Sequence, residues 1–126
     1  MTGLDVLTEG VHTPIREYKE ADTSLELNER IKNIINSGNV VLFMKGNASA
    51  AQCGFSYSSI EILKSMNVPF TTFDILSSSE IRSGLKEFSG WNTYPQIYIN
   101  GELIGGNDIL VEMKKSGELG KMLESL

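Results

Sequence analysis

Val40-Val41-Leu42-Phe43-Met44, followed by Lys45-Gly46-Asn47-Ala48-Ser49-Ala50-Ala51-Gln52 and then Cys53-Gly54-Phe55-Ser56, is the stretch that decides the fold. Five apolar residues between turn signals read as a strand buried on both faces. Small and polar residues from Lys45 to Gln52 read as a loop. Ser56 to Met66 reads as a helix, with Ile60 and Leu63 facing the core and Ile62 at its margin. Asn67 and Pro69 stop it. A cysteine where strand and loop feed a helix meets the positive end of the helix dipole and unpaired N–H groups, and both favour the thiolate. Cys53 is the only cysteine. The chain therefore cannot close a disulfide within itself, and any redox or metal chemistry must borrow sulfur from another molecule.

Similar signals continue on both sides. Ser24 is placed to cap a helix carrying Leu25, Leu27, Ile31, Ile34 and Ile35, ended by Ser37-Gly38-Asn39. Phe70 to Ile75 reads as a strand containing Asp74. Ser77-Ser78-Ser79 starts a helix through Phe88, with Ile81, Leu85 and Phe88 on one face. Asn100-Gly101, between Gln96-Ile97-Tyr98-Ile99 and Glu102-Leu103-Ile104, predicts a type I′ hairpin. Gly105-Gly106-Asn107-Asp108 opens a last helix with Ile109, Leu110 and Met113 inward. Gly117 punctuates it, and a short terminal helix can follow. The order α-β-α-β-α-β-β-α predicts an α/β fold, a four-stranded mixed sheet flanked by helices on both faces.

The 126 residues suit one domain plus a short extra segment. Residues 1–23, polar and aperiodic, read as a flexible N-terminal arm or linker, or a segment ordered by a partner. Residues 24–126 read as the domain. A net charge of −5 argues against a general nucleic-acid surface, and no apolar run is long enough for a membrane span. Residues 1–24 lack the apolar stretch expected of a secretory signal. Asp5, Glu9, Glu17, Glu20 and Asp22 are unlike an intact transit peptide, although a processed N-terminus is compatible with the sequence. One cysteine suits a reducing intracellular compartment.

Met44-Lys45-Gly46, Cys53-Gly54-Phe55-Ser56, Trp91-Asn92-Thr93-Tyr94-Pro95-Gln96 and Gly101-Glu102-Leu103-Ile104-Gly105-Gly106-Asn107-Asp108 occur in one order. Together they resemble the monothiol (CGFS-type) glutaredoxins over roughly residues 25–125, with most likeness to glutaredoxin domains of the multidomain cytosolic type. The resemblance implies a thioredoxin-like fold and two cofactors, glutathione and a bridging [2Fe–2S] cluster. It implies Cys53 as the catalytic thiolate and the metal ligand. Lys45 and Arg82 would meet the glycine carboxylate of glutathione, with Lys86 beside them. A cis peptide before Pro95 would turn the main chain of Tyr94 to the ligand, and Thr93 would line that site. Main-chain N–H groups at Gly106 and Asn107 would hold the γ-glutamyl carboxylate, and Asp108 its ammonium. Phe55 and Trp91 would be apolar walls.

Read without the resemblance, each residue has a plainer role. Cys53 can be a buried inert thiol, Ser56 a helix cap, and Lys45, Arg82 and Lys86 a solvated surface. Pro95 can be a trans turn, Asn107 or Asp108 a cap, and Phe55 and Trp91 ordinary packing. The chain also departs from the family pattern. Asn47-Ala48-Ser49-Ala50-Ala51 replaces a proline-containing loop at equal length, which predicts a more mobile loop. Asn92 stands for a common proline, and Asn107 stands where a second cysteine is frequent.

The resemblance implies a homodimer bridged by the cluster, acting in iron–sulfur cluster storage and transfer and in iron homeostasis. BolA-like proteins and iron–sulfur acceptors would be partners. The alternative is a glutathione-dependent thiol–disulfide oxidoreductase working through Cys53, whose C-x-x-S pattern and five-residue loop resemble the poorly active branch. Cytoplasm is the favoured compartment; mitochondrial and plastid relatives share the motifs.

Overall fold

A computed structural model describes residues 14–126. The expectation of a flexible arm lies outside the described residues for positions 1–13. The strands are β1 (Ile15–Glu17), β2 (Val40–Met44), β3 (Gly46–Asn47), β4 (Ala50–Ala51), β5 (Phe70–Asp74), β6 (Gln96–Ile99) and β7 (Glu102–Gly105). The α-helices are α1 (Leu27–Ile35), α2 (Gly54–Ser65), α3 (Ser79–Ser89), α4 (Asn107–Ser116) and α5 (Glu118–Glu124).

Strand β2 sits at the centre of a five-stranded sheet ordered β1-β5-β2-β6-β7. It runs parallel to β5 and antiparallel to β6. Alternation along the strand divides the core. Val40, Leu42 and Met44 pack with Ile60, Leu63, Leu110, Met113 and Leu119. Val41 and Phe43 pack on the other face with Ile31, Ile34, Ile81 and Leu85. All five β2 side chains are at most 1% exposed, which explains the unbroken apolar run. The hairpin is as expected: Asn100 and Gly101 both have positive φ, 52° and 82°.

The mixed sheet has one more strand than the four expected. Residues Ile15–Glu17 pair in parallel with Phe70–Thr72, and Tyr18 N–H extends the ladder to Thr72 O at 2.8 Å. Three residues of a parallel edge strand carry too little pattern to be read from sequence. Ile15–Glu17 and Tyr18, which lie before the expected boundary at Ser24, are thus joined to the sheet. Ser24 does not cap α1, because its N–H and hydroxyl both donate to Asp22 Oδ1, at 2.9 and 2.6 Å. That Asx turn competes with capping, and α1 starts after Glu26 without a side-chain cap. Phe88 and Ile109, expected inward, are 40% and 38% exposed. Tyr94 and Tyr98 complete the cluster beside α3 instead.

Candidate functional site

Helix α2 begins earlier than the sequence suggests, at Gly54, and this places Cys53 itself at the N-cap. Its Sγ accepts the Ser56 N–H at 3.4 Å and lies 3.2 Å from Ser56 Oγ. Ser56 is therefore not the cap. It is fully buried, and its hydroxyl accepts the Lys45 N–H at 3.1 Å. Partial burial pushes the Cys53 thiol up. Hydrogen bonds from the Ser56 side chain and from the main chain of Ser56 and Phe55, with the Lys45 charge, outweigh it and hold the thiol below its ordinary range. Cys53 is half-buried.

The segment before it, expected to be loose, is a tight antiparallel hairpin of β3 and β4. Asn47 Oδ1 accepts the Ser49 N–H and hydroxyl at 3.1 and 2.9 Å. The Gln52 N–H closes on Lys45 O at 2.8 Å. Gly46, at φ 92°, is required here, since a Cβ would lie 2.4 Å from Ala50 O. Its N–H is held by Asp74 Oδ1 at 2.9 Å. Asparagine and glycine thus shape the turn where the family pattern has proline.

A groove of about 580 Å³ runs along this end of the sheet. Lys45, Phe55, Arg82, Thr93, Tyr94 and Pro95 line it, as do Gly106, Asn107 and Asp108. The structure thus brings together every residue singled out for ligand contact, along with Lys86 and Trp91. Asn92 and Ile109 line it too; neither was read as a contact. Cys53 is not itself in the lining but joins it through Phe55 and, by way of Ser56, Lys45.

Each wall has a structural cause. Helix α3, capped by Ser78 Oγ on the Ile81 N–H at 3.1 Å, carries Arg82 and Lys86 one turn apart. Tyr94 OH donates to Arg82 O at 2.6 Å, and Lys86 Nζ stands 6.0 Å from the Tyr94 ring centroid. The Tyr94–Pro95 peptide is cis. Gln96, fully buried, donates from Nε2 to Trp91 O at 2.9 Å and Thr93 O at 3.3 Å, and accepts from Tyr98 OH at 2.9 Å. This glutamine pins the 91–95 turn. No local pattern marks it, because its partners are main-chain carbonyls brought near by the turn.

At the other wall, Gly106 caps α4 without a side chain. A Cβ there would meet Pro95 O at 3.3 Å and Trp91 Nε1 at 3.4 Å. The first-turn N–H groups of α4 thus open at the groove, a natural anion site. Asn107 turns its amide away, donating to Ser59 Oγ at 2.9 Å. Among the described residues, no group of three or more His, Cys, Asp and Glu side chains could hold a metal ion, and no helix is long and apolar enough to cross a membrane.

The sequence pattern of the Glutaredoxin family matches residues 40–104. The chain belongs to the glutaredoxin family. Its relatives place it among the monothiol members. An uncharacterized monothiol glutaredoxin, ycf64-like, of Synechocystis is 46% identical over 79% of this chain and 92% of its own length. Glutaredoxin-3 of Bos taurus is 47% identical over 97% of this chain. The chain spans only 36% of that curated relative's length. The solution structure of reduced poplar apo GrxS14 shares the thioredoxin-like fold, with a TM-score of 0.70 and 49% identity, covering 79% of this chain and 91% of that one.

Proposed function

We propose that the chain binds glutathione in this groove and that two copies hold a [2Fe–2S] cluster on two Cys53 thiolates and two glutathione thiolates, for iron–sulfur storage or transfer. The observation that carries the reading is one thiol, held below its ordinary pKa, beside a groove with the charge pattern of glutathione. The tripeptide has two carboxylates and one ammonium. Lys45 and Arg82 suit the glycine carboxylate, the uncapped start of α4 suits the γ-glutamyl carboxylate, and Asp108 suits the ammonium. The main chain at Tyr94 offers strand-like pairing to the peptide.

The donor set fits a shared cluster. Iron in a [2Fe–2S] centre takes four thiolates, this chain has one cysteine, and its half-buried sulfur is open to a ligand from outside. When bound, the cluster is cargo that supplies iron and sulfide to an acceptor. The chain's own residues bind glutathione, favour the Cys53 thiolate and fix its direction through Ser56.

The lowered Cys53 thiol also favours a second reading, thiol–disulfide exchange. The Cys53 thiolate would attack the glutathionyl sulfur of a mixed disulfide. The S–S bond breaks, the substrate leaves as a thiolate, and Cys53–S–S–glutathione forms. A second glutathione thiolate then attacks that adduct, releasing glutathione disulfide and restoring Cys53. Ser56 cannot resolve the adduct, so the rate depends on free glutathione.

Anaerobic reconstitution with iron and sulfide, with and without glutathione, tests the first reading by visible absorption, circular dichroism and sizing. A glutathione-dependent cluster that travels with a dimer and vanishes in Cys53→Ser supports it. A colourless monomer under all conditions refutes it, and turnover of a small glutathione mixed disulfide then decides the second.

A further inference from the structure

Asn107 opens α4 without capping it. Its Nδ2 donates to Ser59 Oγ at 2.9 Å, and Ser59 is 1% exposed. Ser59 stands one turn beyond Ser56 on the same side of α2. Ser56 Oγ is the group that meets both Cys53 Sγ and the Lys45 N–H. Two serines on one face of α2 therefore hold the two ends of the candidate site. Ser56 fixes the thiol, and Ser59 fixes the start of α4, whose free N–H groups face the groove.

The remaining contact between the helices is mostly apolar and less directional. Ile60 and Leu63 of α2 belong to one apolar cluster with Leu110 and Met113 of α4, and dispersion contacts tolerate small sliding shifts better than a directional bond does. The other polar link, Lys114 Nζ to Ser65 Oγ at 2.7 Å, is exposed and joins the far ends of both helices.

We propose that Asn107 is a positioning residue acting through Ser59. The pair sets the distance between the anion-binding start of α4 and the Cys53 sulfur, and so selects thiols that carry a carboxylate at the reach of a γ-glutamyl group. Asn107 thus contributes its main chain to ligand binding and its side chain to alignment. The inference rests on the glutathione reading above.

The test compares two exchange equilibria at Cys53 in wild type, Asn107→Ala, Ser59→Ala and the double variant. In each, the Cys53 thiolate attacks a symmetric disulfide, its S–S bond breaks, a mixed disulfide forms and one thiolate leaves. One probe is glutathione disulfide; the other is the disulfide of 2-mercaptoethanol, which has no carboxylate. The ratio of the two constants reads the preference for glutathione, and thermal melting reads folding separately. Each single variant is expected to lower the ratio about three- to tenfold, the worth of one net hydrogen bond. The double variant is expected to fall no further, because both changes remove the same bond. Single variants that keep the wild-type ratio overturn the strut alone, as do losses that add in the double variant. A wild type with no preference for glutathione overturns the glutathione reading and the strut with it.

Discussion

Arg30 tests whether the segment before Ser24 belongs to the folded unit. Its side chain is 4% exposed although it sits on α1, because the chain from β1 folds over it. Nε and one terminal nitrogen donate to the two Glu20 oxygens at 2.9 and 2.8 Å, and the other terminal nitrogen donates to Glu80 Oε1 at 2.8 Å. The two acids are unequal. Glu20 is 11% exposed and Glu80 is 68% exposed. Arg30→Met keeps most of the apolar stem but leaves Glu20 covered and unpaired. Breaking a deeply buried pair costs about 3–5 kcal/mol. Here the cover is one strap of chain that can lift and rehydrate Glu20, so the expected loss is about 2 kcal/mol, near the worth of a charged hydrogen bond. That corresponds to a fall of roughly 5–10 °C in Tm for a domain of this size. Glu80→Ala, at an exposed pair, is expected to cost less than about 1 kcal/mol. Removing residues 1–23 deletes both β1 and Glu20, and is expected to cost at least as much as Arg30→Met. Urea unfolding followed by circular dichroism measures all three. Equal losses for Arg30→Met and Glu80→Ala, or a deletion that costs nothing, would refute this account of the strap.

Three further outcomes follow from the site. Burial pushes the hydroxyls of Tyr94 and Tyr98 up to about 12; for Tyr94 the neighbouring Tyr98 adds to the shift and Arg82 opposes it, and for Tyr98 a hydrogen bond with Ser89 opposes it. An unfolded tyrosine ionises near 10, so stability from these groups is intact below about pH 10 and declines towards pH 12; Tyr98→Phe should flatten that decline in alkaline melting curves. Gly46→Ala, at φ 92° with a Cβ 2.4 Å from Ala50 O, is expected to cost about 1–3 kcal/mol and to speed amide exchange across residues 46–52, whereas unchanged exchange there would contradict the hairpin. Lys45→Met is expected to weaken glutathione binding about tenfold, and Arg82→Met, on an exposed side chain, less than about fivefold; calorimetric titration at two salt concentrations checks the order, and a larger effect at Arg82 would count against it.

Amino-acid order alone determined whatever depends on neighbours within a few residues. The run 40–44 had to be a central strand, Asn100-Gly101 had to turn, and Ile60, Leu63, Ile81, Leu85, Leu110 and Met113 had to face inward, because strand and helix periods set those directions. The lone Cys53 at a helix start was equally legible, as were the charged and glycine positions of the groove through their motif order. Tertiary structure decided what depends on distant segments meeting. It ordered Ile15–Glu17 by offering β5 as an edge, and it buried Arg30 under Glu20. It also moved the cap of α2 from Ser56 to Cys53, because the Ser56 hydroxyl is engaged by the Lys45 N–H and the sulfur. The bond from Asn107 to Ser59 spans 48 positions. Such contacts leave no periodic trace in the sequence; only the packing of α2 against α4 brings the two groups within reach.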